Sequence, residues 1–116
     1  MIRASKPADA RSLYNVPEWS EGYFDVDEQG QVIALPLRDP ALGQIALPEL
    51  TQKMAQSGLK LPILVRFSDI LHDRVDTLCG AFDAAIAQHD YSGGYTAVYP
   101  IKVNQQQQVV EAITRF

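Results

Sequence analysis

From Leu61 onward the chain alternates between two hydrophobic periods, and this alternation narrows the possible folds more than any other feature. Ile63-Leu64-Val65 is a continuous apolar run, the pattern of a parallel strand covered on both faces. Leu71, Val75, Leu78, Phe82 and Ile86 then recur at helical spacing, which predicts a long helix capped by Ser68 or Asp69. After the breaker pair Gly93-Gly94, Tyr95-Thr96-Ala97-Val98-Tyr99 is aromatic and β-branched and reads as a second strand. Strand, helix and strand with a crossover of this length predict a right-handed βαβ unit, and hence an α/β fold.

The end of that second strand carries Lys102. Pro100 cannot donate into a ladder, so pairing is expected to stop near Tyr99, with Pro100-Ile101 carrying the chain over the rim. Asn104 is a good N-cap and Gln107 can complete a capping box, which predicts a helix from Gln105. In parallel α/β barrels the C-terminal ends of strands carry the chemistry. A lysine in such a mouth can form a Schiff base with a carbonyl. Spacing by itself leaves an ordinary surface lysine open as the alternative.

Ahead of Leu61 the period is that of strands and turns. Tyr23/Asp25 alternate with Phe24/Val26, Glu28-Gln29-Gly30 turns, and Val32-Ile33-Ala34-Leu35 returns, which predicts a hairpin. Gln44–Leu47 is a candidate short strand. Pro48 suits the first helical position, Leu50 and Met54 share a face, and Gly58 is the stop. Three regions result: a mobile lead-in over 1–13, a hairpin segment over 14–47, and the start of the α/β region over 48–116. Tyr14, Trp19 and Tyr23 are expected to pack a small N-terminal core.

Other residues invite a chemical role. Asp25, Asp27 and Gly30 fit the first, third and sixth positions of a calcium loop, but Pro36 stands where a bidentate Glu is required, so a hairpin turn is favoured. His72 and Cys79 lie one helical repeat apart and could share a metal, yet zinc needs further ligands, and Asp73 and Asp76 lie further round the polar side. His89 sits near a helix C-terminus, where a cation is mildly favoured. Arg66, at the mouth of the first predicted strand, is either a cofactor contact or a solvated strand end. No Ser/His/Asp set is visible.

With 47% hydrophobic and 21% charged residues, the composition is that of an ordinary globular protein. A net charge of −4 without a Lys/Arg-rich run argues against nucleic acid. The single cysteine, Cys79, excludes an internal disulfide and suits a reducing compartment. No apolar run suits a signal peptide or a membrane span, so a cytoplasmic protein is expected.

Tyr99-Pro100-Ile101-Lys102-Val103-Asn104-Gln105 resembles the cofactor-lysine motif of the pyridoxal-phosphate-dependent arginine decarboxylase family, whose barrel is of the alanine-racemase type. The segment from Tyr14 to Asp27 is similar to that family's N-terminal signature, and Leu61–Phe67 is similar to its first barrel strand. The resemblance implies decarboxylation of L-arginine to agmatine and carbon dioxide, leading toward polyamines. It implies pyridoxal 5'-phosphate as cofactor, with Lys102 as the catalytic residue that carries it in Schiff-base linkage. A homo-oligomer and a use of magnesium are implied too, with no magnesium ligand assignable here. The family's phosphate site, pyridine-nitrogen acid and substrate-guanidinium acids correspond to positions beyond Phe116. So does the cysteine it supplies across a dimer interface, which is not Cys79.

A (β/α)8 barrel needs about 250 residues, and this chain has 116. The apolar face Val109, Val110, Ile113, Phe116 meets no stop signal. The expectation is therefore an incomplete (β/α)8 barrel preceded by a small β-hairpin segment, the amino-terminal piece of a larger enzyme. Two alternatives stand beside it: a decarboxylase of another basic or diamino acid, and a non-catalytic domain that keeps the fold for binding.

Overall fold

The computed structural model of the chain describes residues 6–115. They divide into two units, the first ending at Arg66 and the second beginning at Phe67.

The first unit is built on the hairpin. Strands β1 (Phe24–Val26) and β2 (Val32–Ala34) pair antiparallel, with Asp25 opposite Ile33. The turn between them is organised by Asp27, whose Oδ1 accepts the amides of Gln29 at 2.9 Å and Gln31 at 2.8 Å. Gly30 takes a φ of +78°, which glycine adopts at little cost. Asp27 thus spends its carboxylate on turn amides, as a short polar turn residue does. Strand β3 (Ile45–Ala46) adds to β2, giving the antiparallel order β1-β2-β3.

Helix α3 (Leu47–Gln56) follows at once, with Pro48 in its first turn, and packs against β2 and β3. It ends as its sequence indicates. Gly58 at φ +81° lets its own amide reach Ala55 O and that of Leu59 reach Met54 O, the paired bonds of a Schellman stop. Because α3 packs on the sheet, it belongs with the hairpin, and the division falls at Arg66 rather than at 47/48.

The core of this unit is Val16, Tyr23, Val26, Ile33, Ala34 and Leu35. Helix α2 (Val16–Ser20) contributes Val16, and the Leu35 amide donates to Tyr23 O at 2.8 Å, extending the pairing beyond β2. Of the three aromatic residues expected in the core, only Tyr23 enters it. Trp19 is 56% exposed and Tyr14 69% exposed. The Trp19 indole N–H donates to Tyr14 O at 3.1 Å, and its ring lies 5.8 Å from that of Phe24.

The lead-in differs from expectation as well. Residues Pro7–Leu13 form helix α1, tied to β1 by Arg11, whose Nε donates to Asp25 Oδ1 at 2.6 Å and whose Nη2 donates to Val26 O. Residues 1–5 of the predicted lead-in lie outside the described residues. A seven-residue helix has no stability of its own, so this two-pronged contact helps to hold it on β1. The pair is partly solvated, and its loss should cost about 1 kcal/mol. Arg11→Ala should therefore speed amide exchange across α1 about five-fold while leaving Ile33 unchanged, as hydrogen-exchange mass spectrometry can check.

The second unit contains helix α4 (Ser68–Gln88), with 21 residues, and helix α5 (Gln107–Thr114), which packs against it. Neither predicted cap of α4 is used. Phe67 occupies the N-cap position in an extended conformation, Ser68 is already helical, and the Ile70 amide donates to Phe67 O. The helix stops where Asp90 turns left-handed at φ 49° and the Tyr91 amide reaches Ile86 O. Its apolar positions are present at helical spacing, but Leu78 and Phe82 are exposed and no residue of the helix is buried.

The two predicted barrel strands are the principal correction. Leu61–Phe67 and Tyr95–Tyr99 are not strands, and the βαβ unit expected from them is absent from the described residues. Among the described residues the chain is mixed α/β, with one three-stranded antiparallel sheet. A parallel strand depends on ladders to its neighbours and on cover for both faces. Here Leu61 (75%), Leu64 (71%) and Val98 (85%) face solvent, so nothing pays back the ordering of either run.

Candidate active site

The approach to Lys102 begins with an aromatic anchor. Tyr95 stacks on Phe82 of α4 with ring centroids 3.8 Å apart and planes 3° from parallel. The chain then runs without regular structure to Pro100, which is extended at φ −75° and ψ 97°. Ile101–Val103 close a single 3-10 turn, its amide-to-carbonyl bond running from Val103 N to Pro100 O at 3.0 Å. Proline opens the turn with a φ it holds anyway and offers the carbonyl the turn needs.

Lys102 is the middle residue of that turn and is exposed, as are Ile101 and Val103 on either side. It therefore stands on a turn rather than at the end of a paired strand. Two contacts fasten the segment that contains it. The Tyr99 hydroxyl donates to Asn104 O at 3.3 Å, and Asn104 Oδ1 accepts the Gln106 amide at 3.1 Å.

The second contact explains why α5 begins at Gln107 rather than Gln105. Asn104 spends its side chain two residues on, in a local turn, and so does not cap the helix. The predicted capping box does not form either. Gln107 Nε2 donates forward to Glu111 Oε1 at 2.6 Å. Val109 is the one buried residue of α5, with Val110 and Ile113 half-buried. The contact from Tyr99 is the feature sequence reasoning missed, because a strand residue gives no hint of where its hydroxyl ends up.

The remaining candidates stay apart in chemistry. His72 Nε2 lies 3.6 Å from Asp76 Oδ2 one turn along α4, Cys79 is a half-buried free thiol, and His89 caps the C-terminus of the helix. Among the described residues no group of three or more His, Cys, Asp or Glu is arranged to hold a metal ion. Asp25, of the calcium-like pattern, is engaged by Arg11. Arg66 is exposed. Among the described residues no helix is long and apolar enough to cross a membrane.

A carbonyl cofactor needs an accessible primary amine, and Lys102 offers one on a turn whose neighbours do not cover it. From Tyr99 to Val110 the sequence carries no carboxylate, so no acid of the same segment competes for the amine. The fit is limited to this one linkage.

Comparison with known proteins bears on the class and then on the particular enzyme. No protein-family model matches the chain. Its curated relatives are decarboxylases. It is 55% identical over 106 residues to the biosynthetic arginine decarboxylase of Alkalilimnicola ehrlichii, a match that covers 91% of this chain and 17% of the relative. Proteins of the same name from Pseudomonas putida (54% identity, 91% of this chain, 16% of the relative) and Chromobacterium violaceum (52%, 91% and 17%) match similarly. For the stretch it shares with them, the chain is related to the biosynthetic arginine decarboxylases, and it spans about one-sixth of their length.

Proposed function

We propose that this chain supplies one segment of a pyridoxal-phosphate-dependent arginine decarboxylase, which converts L-arginine to agmatine and carbon dioxide on the way to polyamines. The observation that carries the reading is the identity of half or more over nine-tenths of the chain to proteins named biosynthetic arginine decarboxylase. The chemistry of Lys102 supports it: a primary amine presented on a turn, flanked by uncharged residues.

Lys102 is the residue that would hold pyridoxal phosphate, through Nζ. When bound, that cofactor supplies an electron sink for the electrons left behind by a departing carboxylate. The contribution of this chain is to hold and present. Pro100 opens the 3-10 turn that carries Lys102, and no acidic residue lies between Tyr99 and Val110 in the sequence. The remaining contacts to substrate and cofactor are assigned to residues outside this chain. We further propose that 61–67 and 95–99 become parallel strands of a (β/α)8 barrel when neighbouring strands are present. In that setting the enzyme is cytoplasmic and homo-oligomeric. Magnesium is assigned no ligand.

The test is a chimera in which this chain replaces the matching segment of the Pseudomonas putida decarboxylase. Release of carbon dioxide from L-arginine at a rate comparable to the parent is expected. A chimera that folds and takes up cofactor, yet turns over no arginine, would overturn the proposal and favour a non-catalytic binding domain.

A further inference from the structure

The turn that carries Lys102 is not held by packing. Ile101 is 55% exposed, Val103 71% exposed, and Lys102 is exposed between them. A three-residue 3-10 turn closes on one backbone bond and is a weak element by itself. Something else must fix the direction in which Nζ is presented, and two polar contacts, one from either end of the segment, are in position to do so.

Before the turn stands Tyr99, whose half-buried ring anchors a hydroxyl that donates across five residues to Asn104 O. After it stands Asn104, extended at φ −150°, whose Oδ1 takes the Gln106 amide and so joins the turn to the start of α5. The bond from Tyr99 therefore closes the segment 99–104 into a loop with Lys102 near its middle. Without it the turn hangs from Pro100 on one side and from an extended residue on the other, and Lys102 samples more directions.

We propose that Tyr99 is a positioning residue for Lys102, its hydroxyl holding the loop in the form that presents Nζ. This rests on the reading of Lys102 as the cofactor-holding residue. A hydroxyl-to-carbonyl bond of 3.3 Å is long, so its loss corresponds to the lower part of the range for a neutral hydrogen bond, about a three-fold change.

The experiment uses the apo form of the chimera, treated with limiting pyridoxal phosphate and quenched with borohydride at timed intervals. Peptide masses then give the initial labelling rate at Lys102, with Lys60 as internal control. Tyr99→Phe keeps the ring and removes only the hydroxyl. It should slow labelling at Lys102 about three-fold and lower kcat for L-arginine to match, with KM, melting temperature and labelling at Lys60 unchanged. Labelling of Lys102 at the wild-type rate in Tyr99→Phe overturns the positioning role and leaves the cofactor assignment standing. Absence of label at Lys102 in the unsubstituted chimera overturns the assignment itself, and the positioning role with it. A fall in melting temperature with equal slowing at Lys60 would show Tyr99 to be merely structural.

Discussion

Lys102→Ala in the chimera is expected to reduce carbon dioxide release from L-arginine by at least about 10³-fold, the scale expected when a covalent-catalysis residue is removed. The other three lysines of the chain, Lys6, Lys53 and Lys60, lie outside the segment 99–105. Lys53 lies on α3 with its amine 2.8 Å from Glu49, and Lys60 follows the Gly58 stop of that helix. Lys60→Ala should therefore leave turnover within about two-fold of the parent, as exposed substitutions usually do. Steady-state rates for the two variants decide the matter. Retention of more than about a tenth of the activity by Lys102→Ala would remove that residue from the chemistry.

A second large effect follows from what the second unit leaves uncovered. Leu78 and Phe82 on α4, together with Val98, Ile101 and Val103, are exposed. A 21-residue helix without one buried residue draws little stability from tertiary contact, which is where most helical stability in proteins originates. By itself the chain is expected to bind hydrophobic dyes and to melt without cooperativity in the second unit, while Val26, Ile33 and Leu35 retain protected amides. Within the chimera, the amides of 63–65 and 96–98 should gain at least about 100-fold in protection as they enter ladders. Hydrogen exchange on both proteins measures this. Equal exchange of those two runs, alone and in the chimera, would contradict the barrel assignment.

The contrast between the two units also explains what could be read from sequence. The hairpin was legible because its determinants are local. Asp27 and Gly30 fix the turn, whereas burial along the strands does not alternate, since Tyr23 and Val26 are both buried and so are Ile33, Ala34 and Leu35. The stop of α3 at Gly58 was legible for the same reason, since the left-handed residue is itself the signal. The runs Ile63-Leu64-Val65 and Tyr95–Tyr99 carry the composition of buried strands, but a ladder is a property of two segments. Composition indicates what each run is suited to and cannot supply a neighbour. Helix α1 escaped notice because its anchor, Arg11 to Asp25, spans fourteen positions and leaves no periodic trace.

At the candidate site the break at Pro100 was legible, since the proline opens the turn on which Lys102 stands. The start of α5 was misplaced because Asn104 had two competing uses for one side chain, and the local turn with Gln106 won over the helix cap. The Tyr99 hydroxyl was invisible to sequence reasoning, since its acceptor is a backbone carbonyl of the kind every residue carries.

The most direct test of the central claim is covalent mapping in the loaded chimera. Borohydride reduction followed by peptide mass analysis is expected to find a stoichiometric pyridoxyl group on the peptide containing Lys102, with no more than trace label on any other peptide from this chain. A stoichiometric label on Lys53 or Lys60, or none on Lys102, would contradict the assignment of Lys102 as the residue that holds the cofactor.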